Sequence, residues 1–96
     1  MSTTFQVAHV REQGQDIVIV LVSSSFGQKS ASEQNEVQRS IQACARAAQL
    51  KGTVVPVWDA GGQRMGFLAP MPWQTYFRSL SLAVVSRSIN RALTCG

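Results

Sequence analysis

Few residues in this chain are of the types that do chemistry, and their spacing limits what they could do. His9 is the only histidine, and Asp16 and Asp59 are the only aspartates. A Ser-His-Asp relay needs its three members to converge, and nothing in the order of these residues indicates convergence. Glu33 and Glu36 are the closest pair of carboxylates. They fall in the first turn of a predicted helix, where the helix dipole favours acids, and that role accounts for them. No catalytic residue is assigned. Cys44 and Cys95 are not spaced as CxxC, and with one histidine they cannot supply four zinc ligands in one chain. No metal and no cofactor are expected. The glycines do not form GxGxxG. SSSFGQKS, residues 23–30, lacks the first glycine of a phosphate loop and sets Gln28 between Gly27 and Lys29.

Binding is a better prospect than catalysis. A serine-rich loop running from a strand into a helix can hold an anion on backbone N–H groups, which makes Ser23, Ser24, Ser25, Lys29 and Ser30 candidate ligands. Trp58 and Trp73 could line a pocket, although in a small domain a tryptophan more often packs as core or interface. Arg87, Asn90 and Arg91 share a face of a predicted helix and are types that read base edges. Against nucleic acid stand an aromatic content of 7% and the lack of a lysine-rich patch.

The elements that must position these residues can be read from periodicity. Residues 3–11, TTFQVAHVR, suit a strand with one partly wet face. Gly14 suits a hairpin turn, and IVIVLV, residues 17–22, reads as a strand covered on both faces. Ser30 and Glu33 have capping-box spacing, and Val37, Ile41, Cys44 and Ala48 form an apolar stripe. A helix is expected over residues 31–50, ending at Gly52, with Gln38, Gln42, Arg46 and Gln49 on its wetter side. TVVPVW is a strand that Pro56 should confine to an edge. DAGG turns it into a returning strand, QRMGFLA, and Asp59 and Arg64 could pair across the turn. Pro70 and Pro72 stop that strand, and a second helix is expected from Trp73 to near Thr94.

The fold class is therefore α+β: a two-layer ββαββα domain of residues 1–96. It has a four-stranded, mainly antiparallel sheet with two helices on one face. Strand order 1-2-4-3 is preferred, with 1-2-3-4 and a parallel 2–3 pair second. The second helix carries an anomaly. Trp73, Tyr76, Phe77, Leu80 and Val84 share one sector, whereas Leu82, Val85, Ile89, Ala92 and Leu93 point nearly opposite. Either the helix kinks near Ser81 or its second half packs on something else. The second option predicts a homodimer with Leu82, Val85, Ile89 and Leu93 at its interface, since symmetric pairing hides such a patch.

Composition adds bounds. Residues 1–50 carry four basic and four acidic side chains, so the net charge of +4 lies wholly in residues 51–96. Such asymmetry suits an acidic partner or a solubilising surface. The N-terminus does not read as a signal peptide, and the longest apolar run is too short to span a bilayer. A cytoplasmic protein is expected, with Cys44 a small buried residue and Cys95 a free thiol.

GFLAPMPWQTYFRSLSLAVVSRSINRALTC resembles small bacterial proteins carried as integron gene cassettes. The resemblance implies a stand-alone, mobile accessory protein and assigns no site residue. The hairpin VVPVWDAGGQRMGF followed by a helix is also similar to the end of a thioredoxin-like fold, without the CxxC that would imply redox chemistry. The sequence thus points to a small homodimeric module that binds a protein or small ligand without catalysis. The alternatives are a nucleic-acid-binding protein using the basic helix, and a small enzyme with a pocket near the tryptophans.

Overall fold

The computed structural model describes residues 2–62 and 64–95. Strands β1 (Thr3–Glu12) and β2 (Gln15–Leu21) form an antiparallel hairpin in which Glu12 faces Gln15. Its two turn residues, Gln13 and Gly14, have φ of 53° and 75°. Two left-handed residues in succession give a turn whose twist matches the strands it joins.

A nine-residue loop leads to helix α1 (Ala31–Ala47). The capping box is present in full: Glu33 N–H donates to Ser30 Oγ, and Ser30 N–H donates to Glu33 Oε1. The end of the helix differs from expectation. The positive-φ residue that closes the helix is Gln49, with φ of 64°; Gly52, with φ of 122°, lies three residues further on. Leu50 N–H reaches the Ala45 carbonyl and Gln49 N–H the Arg46 carbonyl, which is a Schellman closure built without glycine. Gly52 is needed for another reason, because a Cβ there would overlap the Asp16 carbonyl of β2.

Strand β3 (Thr53–Gly61) then pairs with β2 in parallel, and β4 (Arg64–Phe67) returns antiparallel to β3. Gln63, the first residue of the expected returning strand, lies outside the described residues. Two short helices follow, α2 (Gln74–Arg78) and α3 (Leu82–Arg87), and the chain closes with strand β5 (Arg91–Cys95) antiparallel to β1. The sheet order is β4-β3-β2-β1-β5. The molecule is thus a mixed α+β domain with one five-stranded sheet and three helices among the described residues, not four strands and two helices.

Three corrections follow. The second expected helix does not run from Trp73 to Thr94. It breaks at Ser79–Ser81, where the Ser79 hydroxyl donates to the Tyr76 carbonyl and Ser81 Oγ accepts from Val84 N–H as the cap of α3. Serine hydroxyls compete with the helix for backbone partners, which is why the pattern changes face there. Secondly, β3 is interior despite Pro56, and the order is the second of the two weighed. The Pro56 carbonyl accepts from Leu68 N–H, so its missing donor faces the β4 side, just where β4 ends at Phe67. One step earlier Val54 has no β4 partner, and Gln42 and Gln38 of α1 bond its N–H and carbonyl instead. These two glutamines were expected on the wet side.

Thirdly, the helices cover both faces of the sheet. Val7, Val18, Val20, Val54 and Leu93 pack with Ile41 and Ala45 of α1. On the opposite face Ala8, Ile17, Ile19, Val55 and Val57 pack with Trp73, Phe77 and Val85. Alternate residues of one strand feed opposite faces, so β2 is apolar throughout because both its faces are covered within the chain. Val37 of the α1 stripe and Leu80 of the first apolar sector are only half-buried, as is Phe67 of β4. The cysteines also differ from expectation. With residues 91–95 in a strand beside β1, Cys95 meets Cys44 of α1 at a Cα separation of 5.8 Å, and the two form a disulfide.

Candidate functional site

Trp58 has the same parity along β3 as Val54 and Pro56, so it leaves the strand on the α1 face, beyond the reach of the helix. Two glycines make room for its indole. A Cβ on Gly66, its cross-strand neighbour in β4, would overlap the ring, and so would one on Gly27 in the preceding loop. Phe26 of that loop is buried and packs against the indole with centroids 4.9 Å apart. The half-buried Trp58 thereby ties the loop after β2 to the end of β3.

The loop itself is ordered by its serines. Residues Ser24–Gln28 form a 3-10 turn capped by Ser23, whose Oγ accepts from Ser25 N–H at 3.3 Å and lies 3.0 Å from Ser25 Oγ. Between this turn and the β3–β4 hairpin lies an open cleft of about 440 Å³, lined by Ser24, Gly27, Gln28, Trp58, Asp59, Ala60 and Gly61. Asp59 Oδ1 accepts from Gly61 N–H at 2.8 Å. This bond fixes the turn and takes the place of the expected pairing with Arg64; among the described residues the ion pair found is Arg11–Asp16. Among the described residues, Asp59 is the only ionisable one of the lining.

The structure therefore joins part of two separate expectations, Ser24 of the serine loop and Trp58. It separates the rest. Trp73 is buried on the opposite face, edge-on to Tyr76 at 5.6 Å. Ser23 and Ser25 bond each other. Lys29 is exposed, and its carbonyl accepts from Gln34 Nε2. Ser30 is committed to Glu33, whose carboxylate occupies the N-terminus of α1, where an anion would have bound. The Ser30 backbone bond first, then its hydroxyl, with Lys29 nearby, hold the Glu33 carboxyl below its ordinary pKa.

The expected basic helix face is not formed. Arg87 lies in α3 and Arg91 in β5. Asn90 between them is engaged with β1: its Oδ1 accepts from His9 N–H and its Nδ2 donates to the His9 carbonyl. His9 Nε2 is 2.8 Å from the Lys51 carbonyl, which anchors the segment between α1 and β3. Nor do Leu82, Val85, Ile89 and Leu93 form one surface. Val85 and Leu93 are each 1% exposed, on opposite faces of the sheet, and Leu82 and Ile89 are half-buried.

Sequence reasoning missed Gly27, Gln28 and Gly66 at this site. The only available signal was a tryptophan whose neighbours across the hairpin and in the loop are glycines. Compared with known proteins, the chain matches no family model, no curated protein and no solved structure. Among the described residues, no helix is long and apolar enough to cross a membrane, and no group of His, Cys, Asp and Glu has the arrangement of a metal site.

Proposed function

We propose that this protein is a small-ligand-binding module whose site is the Trp58 cleft, and that its ligand is a neutral polyhydroxylated ring of the carbohydrate type. The observation that carries this reading is that Trp58, seated against Gly27 and Gly66, lines an open cleft together with Ser24, Gln28 and Asp59. A ligand site is typically a concavity with an apolar wall and a few placed polar groups. Here the wall is the indole, and the polar groups are Ser24, Gln28 and Asp59. The one carboxylate disfavours anions and accepts hydroxyl donors well, since hydrogen bonds to charged groups are stronger than neutral ones. The place in the fold agrees: the cleft lies beyond the carboxyl ends of the parallel pair β2 and β3, the end of an open sheet at which ligands usually bind. The lining holds no histidine or cysteine to act with a nucleophile, so we read binding without turnover.

Calorimetric titration with glucose, galactose, maltose and cellobiose at millimolar concentration, with adenosine alongside, tests the reading. At least one saccharide should bind, and Trp58→Ala should abolish the heat while the variant stays folded. Binding of adenosine alone, or saccharide binding that survives Trp58→Ala, would contradict it.

A further inference from the structure

A second cavity, on the opposite face of the sheet, carries the inference furthest. It lies between β1–β2 and α2–α3, has a volume of about 260 Å³, and is lined by Val10, Glu12, Ile19, Tyr76, Leu80, Val84, Val85 and Ser88. Five of these eight side chains are aliphatic. Glu12 is the one acid among them. Along β1 it has the parity of Ala8 and Val10, so it stands on the cavity face, whereas Arg11 stands on the other face and approaches Asp16 at 3.9 Å. Among the described residues no Lys, Arg or His nitrogen lies within salt-bridge distance of Glu12. The half-buried Glu12 carboxylate, at the edge of an apolar cavity and without a counter-ion, is open to a cation, since charge-assisted contacts are the stronger hydrogen bonds.

Tyr76 complements it. Its ring is held edge-on between Trp73 and Phe77, with centroids 5.6 Å and 5.2 Å away. Burial first, and then the nearby Glu12 charge, push the Tyr76 hydroxyl above its ordinary pKa, so it stays neutral beside the carboxylate. Ser88 Oγ donates to the Val84 carbonyl, which leaves its lone pairs as acceptors at the far wall.

We propose that this cavity binds a small primary ammonium with an apolar body. The cation is held at Glu12, and the body packs among Val10, Ile19, Leu80 and Val84. The volume falls below the range of about 300 to 1,000 Å³ usual for larger ligands, so a fragment-sized amine is the class that fits. This site is independent of the Trp58 cleft.

Amide NMR titrations with benzylammonium, benzyl alcohol and benzoate test it. Benzylammonium should shift the amides of Val84, Val85 and Ser88 saturably, bind more tightly than benzyl alcohol, and leave the Trp58 indole signal in place. Benzoate should not bind. Glu12→Gln should weaken benzylammonium by roughly tenfold or more, the size of a lost charge-assisted contact, and leave benzyl alcohol unchanged. Equal affinities for the three probes, shifts confined to residues away from the cavity lining, or an unaltered benzylammonium affinity in Glu12→Gln would overturn the proposal. Should Glu12→Gln not give a dispersed spectrum, the ranking of the probes on the wild type decides alone.

Discussion

At the residue scale the molecule depends on two backbone choices that composition hides. Gln49 sits in the left-handed region that disfavours side chains by about 1 to 2 kcal/mol. Gln49→Gly should therefore stabilise the protein by a few tenths to about 1 kcal/mol after the chain-entropy cost of glycine. A thermal melt that moves down would show that the Gln49 side chain contributes more than its strain costs. Gly66 is the opposite case. Gly66→Ala would drive a methyl into the Trp58 indole and should cost about 1 to 3 kcal/mol, as overpacking does, while changing the Trp58 fluorescence. Neither position was legible. The sequence showed a glycine two residues past the helix end and a glycine in a strand, but not which of them touches what. The capping box at Ser30 and Glu33 was legible because both partners lie three residues apart and need nothing distant. It also has a pH signature. The Glu33 carboxyl has a lowered pKa in the folded state, so its contribution is present above the unfolded pKa and is lost as pH falls through the folded one. Glu33→Gln should flatten that part of the acid melting curve, and an unchanged curve would remove Glu33 from the account.

At the element scale, β1, β2, α1, β3 and β4 were readable to within a few residues, because each has a single period and local stop signals. The segment after Trp73 was not. Two short helices and a strand of five residues can together imitate one helix, and the change of apolar face was the trace they left. Leu93 shows why: its partners are Val7, Val18 and Ile41, all more than fifty residues away, and no local pattern encodes them. The disulfide was missed for the same reason, since Cys95 meets Cys44 only once β5 has joined the sheet. It closes a loop of 51 residues' separation between α1 and the last strand. Cys44→Ala with Cys95→Ala should cost about 2 to 4 kcal/mol, measured by urea unfolding. Thiol titration of the protein purified without reductant should find no free cysteine; two reactive thiols would contradict the pairing. A structural disulfide is more at home in an oxidising compartment, which pulls against the cytoplasmic expectation. In α1, Ile41 is 3% exposed against the sheet, and Ile41→Ala should cost about 2 to 5 kcal/mol. An unaltered melting temperature would mean that α1 does not pack there.

At the scale of the whole molecule, the break at Ser79–Ser81 and the cover on both faces of the sheet account for the change of apolar side that had suggested self-association. The sheet has no face left open along β2, and the second half of the expected helix buries Val85 and Leu93 within its own chain. The large apolar side chains that stay exposed among the described residues are Met71 at 85% and Val84 at 39%, and Val84 belongs to the Glu12 cavity. Such isolated residues do not make a patch that needs a partner. We expect sedimentation at tens of micromolar to give a monomer; a dimer would place an interface at a sheet edge, where β5 is the longer of the two outer strands. The same architecture puts the two tryptophans on opposite faces, one at a cleft and one in a core, so each serves as the control for the other. The central claim is that the cleft at Trp58 takes a neutral saccharide. Its most direct test is a proton–nitrogen spectrum of the two indole N–H groups during titration with the saccharides named above. We predict that the Trp58 signal shifts and saturates while the Trp73 signal stays still. An unmoved Trp58 signal throughout the titration, or movement of Trp73 alone, would contradict the claim.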